Sequence, residues 1–102
     1  MPRDSIAGLK SLGPASARVL AAAGILSVDQ LRELGAVAAF VQVRKVDPRA
    51  SLNLLWALES ALTGEPWQSV ARHHRTSLLL AVDDLERSLN ERAQFLSSVS
   101  MR

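Results

Sequence analysis

The residues of this chain best suited to chemistry lie in the turn Leu12-Gly13-Pro14-Ala15-Ser16. Pro suits the first position of a helix, where its missing N–H would have had no partner. Gly13 lets a ligand approach the backbone closely. Behind it, the free amides of Ala15, Ser16 and Ala17 point outward at the positive end of the helix dipole. That arrangement suits an anion such as a DNA phosphate. Ser16 and Arg18 add side-chain donors, and Lys10, Arg44 and Lys45 supply charge. Such contacts hold a nucleic-acid backbone without reading bases. The bland alternative is a helix start in a small bundle.

Other chemical groups are weaker candidates. His73-His74 lies between Arg72 and Arg75. Adjacent helical positions diverge by about 100°, whereas a helical metal pair wants i, i+4 spacing, so no metal is expected and a solvated basic turn is. Asp83, Asp84 and Glu86 have no nucleophile or base beside them and are expected on a solvated helix face. Trp56 and Trp67 are expected in the core. The absence of Cys removes disulfides and thiol chemistry. With no nucleophile–base–orienter set legible, the chain is expected to be non-enzymatic and to need no cofactor.

The elements that must position these groups are helical. There is no Tyr, Ile occurs twice, and no long alternation signals a strand. The first clear helix opens at Pro14, with Ala17, Leu20 and Ala21 on one face, and Gly24 caps it. Ser27-Val28-Asp29-Gln30 reads as a capping box opening a second helix with Val28, Leu31 and Leu34 inward. Gly35 marks a break. A third helix spans about 36–46, with Val37, Phe40 and Val41 inward, and ends on the basic pair Arg44-Lys45. Asp47-Pro48 reads as cap and first residue of a fourth helix with core positions Leu52, Leu55, Trp56 and Leu62, closed by Gly64. Trp67 to Arg72 forms a short helix. The last and longest starts near Thr76, with a seam of Leu78, Val82, Leu85, Leu89 and Leu96 and an Asp83–Arg87 pair at i, i+4. Residues 97–102 are expected to fray.

The chain has 102 residues, 48% of them hydrophobic and 22% charged. Those values predict a single globular domain over 1–102, and the helical punctuation above makes it all-α, with an ordered core over about 6–96, five or six helices and a long C-terminal one. No apolar run approaches a membrane helix, and Met1–Ser5 does not begin a signal peptide, so the expected compartment is the cytoplasm and no membrane partner is expected. The isoelectric point of 9.9 overstates basicity. The net charge is only +2, and without Tyr or Cys little titrates between neutrality and the Lys range. Residues 1–52 hold seven Lys/Arg and four acids; the remainder hold five Arg and six acids.

The stretch from Leu9 to Gly35, with its Leu-Gly turn, small helix, Gly-Ile and Ser-Val-x-x-Leu succession, resembles helix-hairpin-helix DNA-binding motifs. It is also similar to the C-terminal domain of the bacterial RNA polymerase alpha subunit. The wider pattern runs LKSLGPASARVLAAAGILSVDQLRELGAVAAFVQV, then SLNLLWALESALTG, then Trp67. It resembles the C-terminal domain of the TfoX/Sxy family over roughly residues 6–89. Typical members carry another domain ahead of this one; here the motif follows Met1 almost directly. The resemblance implies a helix-hairpin-helix-like or SAM-like helical fold and a DNA-associated role in bacterial competence regulation. The implied partner is DNA, held non-specifically, or a DNA-bound transcription complex. The alternative is a protein-interaction module without nucleic-acid contact, dimerising through the last helix.

Overall fold

The computed structural model describes residues 12–100, with side chains through Leu96. Five helices account for almost all of it: α1 (Pro14–Ala22), α2 (Val28–Val46), α3 (Leu52–Thr63), α4 (Trp67–His73) and α5 (Arg75–Ser100). The described residues contain no strand. Lys10, the Ser5–Leu9 stretch and residues 101–102 lie outside them.

Local chemistry sets each boundary. Gly13, extended, precedes Pro14, and its carbonyl accepts from Ala17 N–H at 2.9 Å. At the end of α1 the chain turns through Gly24, at φ 87, which returns Ile25 to the core at 1% exposure. The capping box of α2 is formed in full. Ser27 Oγ accepts from Gln30 N–H at 3.1 Å, while Gln30 Oε1 accepts from the N–H groups of Leu26 and Ser27 at 2.7 and 3.1 Å. Gln42, on the second half of α2, donates to Ala23 O at 2.8 Å and ties the α1–α2 turn down.

The break expected at Gly35 is present. Its φ of 80° and ψ of 167° interrupt α2. This conformation is essentially accessible to glycine alone. It re-aims the chain so that both halves of α2 bury a face: Val28 and Leu31 before the break, Ala39, Phe40 and Val43 after it. Leu34, expected inward, is instead 36% exposed, because the redirected backbone carries the last turn before Gly35 away from the core.

The expected helix start at Asp47-Pro48 is a correction. Asp47 is the C-cap of α2, its N–H donating to Val43 O at 2.8 Å. Its Oδ1 accepts from Arg49 N–H at 3.1 Å, closing a local turn, and α3 begins only after Ser51. Asp-Pro serves equally well in a turn, and here the turn prevails.

The core lies where α3 and α5 pack on α2 and α4 packs on α3 and α5. Leu20, Leu31, Phe40, Leu55, Leu58 and Val70 are fully buried in it. Each such side chain contributes roughly 1.5–3 kcal/mol. Trp56 is core, as expected. Trp67 is not: it opens α4 and is 47% exposed. The α5 seam is buried at Leu78 and Val82 and half-buried at Leu85 and Leu89. Leu96, in line with them, is 59% exposed, because the helix has outrun the elements that cover it. The backbone is helical to Ser100.

Candidate nucleic-acid interface

α1 presents its amino end to a shallow groove of about 370 Å³ that it shares with α3. Ala15, Ser16 and Val19 form one wall; Ser51, the N-cap of α3, and Asn53 and Leu54 from its first turn form the other. Two helix amino ends therefore open on one groove. Neither is capped by a side chain: Gly13 has none to offer, and Ser51 makes no capping bond. The N–H of Ala17, expected to be free, is bonded to Gly13 O, and that of Leu54 to Ser51 O at 3.0 Å. The amides of Ala15, Ser16, Leu52 and Asn53 have no acceptor among the described residues.

Gly13 is extended, at φ −135°, and an added Cβ would meet nothing within 4 Å among the described residues. Neither its backbone nor its packing among the described residues calls for glycine. Arg18 is exposed, 100° round the helix from Val19, and forms no ion pair among the described residues. Asp47 also lines the groove and places one acid beside the four amides.

Arg44 and Lys45 are not brought to this groove. They line a second one, of about 300 Å³, with Val41, Pro48, Glu86, Leu89 and Asn90. Arg44 forms a two-pronged pair with Glu86 of α5, Nε to Oε2 at 3.2 Å and Nη2 to Oε1 at 3.3 Å. Its guanidinium carbon lies 5.4 Å from the centre of the Phe40 ring. Glu86 is thus a cross-helix partner rather than a freely solvated acid. Asp83 and Asp84 are exposed and both pair with Arg87, at 3.1 and 3.2 Å.

Sequence reasoning missed Ser51 and Asn53. Once α3 is known to begin after Ser51, its first turn falls beside the groove. The signal for that lay in Ser51 as an alternative helix cap to Asp47.

Of the two histidines, His74 is half-buried and its Nε2 lies 3.1 and 3.2 Å from the two carboxylate oxygens of Glu65. His73 is exposed. Among the described residues no group of three or more His, Asp or Glu gathers as a metal site would require. None of the helices described is long and apolar enough to cross a membrane.

No curated protein and no solved structure matches this chain. A family model does: that of the TfoX C-terminal domain, over residues 2–82. The matched span takes in the α1 groove, α2, α3, α4 and the first two turns of α5. With most of its length matched, the chain belongs to the TfoX C-terminal domain family.

Proposed function

We propose that the chain is a non-enzymatic, DNA-associated binding module serving bacterial competence regulation, and that it holds the phosphate backbone non-specifically at the α1 groove. The reading is supported above all by one observation: two helix amino ends without a side-chain cap, those of α1 and α3, line the same groove with four amides unclaimed among the described residues. Positive helix ends with free N–H groups favour a phosphate oxygen. Gly13 leaves the approach open among the described residues, and Arg18, on the same first turns of α1 though not in the groove lining, is exposed with its charge unpaired among the described residues.

The test is fluorescence anisotropy of a labelled duplex, titrated with the protein at several salt concentrations. Log affinity should fall linearly with log salt. Arg18→Ala should weaken binding evenly across sequences and lower the slope by about 1. Gly13→Ala should leave the urea midpoint unchanged and still weaken binding, because a methyl group would sit where the phosphate approaches. An absence of binding at low salt refutes the reading.

A second reading, a protein-interaction or dimerisation module, is favoured by the projecting end of α5. There Phe95 and Leu96 are 66% and 59% exposed. Sedimentation equilibrium separates the two: a dimer that Leu96→Ser abolishes, together with no duplex binding, selects the second.

A further inference from the structure

From Pro66 to Val82 the chain has no acid, and within that interval stand Arg72, His73, His74 and Arg75. The fold places all four at the corner where α4 ends and α5 begins. His74 turns toward Glu65. Arg72, His73 and Arg75 are exposed and make no side-chain hydrogen bond or ion pair among the described residues. The other basic side chains described are differently placed. Arg32 adjoins Glu33, Lys45 and Arg49 flank Asp47, and Arg92 adjoins Glu91. Arg44 and Arg87 are paired outright. Arg18 alone shares the acid-free setting.

Helix electrostatics explains half of the corner. Arg72 and His73 occupy the last turn of α4, where the dipole favours a cation. Arg75 is the first residue of the 26-residue α5. The positive end of that dipole disfavours a cation, and Arg75 makes no ion pair among the described residues to offset it; the nearby acid Glu65 is engaged by His74. No contact among the described residues uses this charge; a polyanion laid across the corner would.

We infer that the α4–α5 corner is a second contact for the backbone of duplex DNA, with Arg72 and Arg75 each facing a phosphate. This rests on the DNA reading above and adds a surface to it that is separate from the α1 groove. Exposed guanidinium groups are suited to phosphates without base readout.

The experiment uses the full chain and the same salt-dependent anisotropy. Each phosphate contact contributes about 0.9 to the log–log slope, so Arg72→Gln/Arg75→Gln should lower it by about 2, and adding Arg18→Ala by about 1 more. The Lys pair at the same positions should restore most of the slope, because a phosphate accepts a point charge. Arg75→Gln alone removes a charge that the helix end disfavours, so it should fold at least as well as the parent and lower the slope by about 1. If the parent binds and these variants keep its slope, the corner is refuted and the DNA reading stands. If the parent fails to bind duplex at low salt, both fall.

Discussion

Arg44 offers the sharpest test of how this protein distributes its charge. Its pair with Glu86 joins two helices 42 positions apart in sequence, through two contacts of 3.2 and 3.3 Å. The two side chains are 34% and 30% exposed. That places the pair between an open surface bridge, worth 0.2–1 kcal/mol, and a buried one. With two-pronged geometry we expect a coupling of about 1 kcal/mol. Arg44→Ala also loses the contact with Phe40, worth roughly another 0.5 kcal/mol, and should destabilise by about 1.5 kcal/mol in all. The assay is a double-mutant cycle of Arg44→Ala and Glu86→Ala by urea denaturation, with Trp fluorescence as readout. The coupling should shrink with added salt, since both groups are partly solvated. The same Arg44→Ala protein should keep the parental salt slope for duplex binding. A coupling below about 0.3 kcal/mol, or a slope lowered by about 1, would show that Arg44 serves phosphate rather than Glu86, and the reasoning would fail.

Two further outcomes are expected. Asp47→Asn keeps an acceptor for Arg49 N–H but removes the one acid lining the α1 groove; duplex affinity should rise several-fold at low salt, and unchanged or weaker binding would move the phosphate elsewhere. Ser27→Ala removes the hydroxyl half of the α2 capping box and should lower stability by about 1 kcal/mol; an unchanged urea midpoint would show that the Gln30 side chain holds the helix start alone.

What could be read from sequence was whatever short-range chemistry determines. The Gly13-Pro14 start, the Ser27–Gln30 box, the break at Gly35 and the close at Gly64 each depend on a few adjacent residues, and each is where the residue types put it. Asp47-Pro48 misled because the pair is at home both in a helix start and in a turn; only the bonds to Val43 O and Arg49 N–H distinguish them. Leu96 misled for another reason. Periodicity identifies the face of a helix but not how far its neighbours extend along it, and the seam continues beyond the elements that cover it. Trp67 looked like core by size alone, yet it opens a seven-residue helix whose one buried residue is Val70. For the site, α1's contribution was legible and α3's was not. That Ser51 and Asn53 share a groove with Ala15 depends on how α2 carries the chain around the domain, which no local pattern encodes. The Arg44–Glu86 pair was hidden for the same reason.

The contrast between Gly13 and Gly35 extends to inheritance. Any single-base change in a glycine codon that still encodes a residue other than glycine adds a side chain. At Gly35 every such change meets a backbone at φ 80°, ψ 167° that L-residues rarely enter. At Gly13 it meets extended backbone and, among the described residues, open space. Drift at Gly35 is therefore checked by folding itself, in every relative that keeps the kink. Among the described residues nothing in the fold checks drift at Gly13, so if the groove holds the proposed phosphate, a lineage that gave it up would lose the first glycine and keep the second.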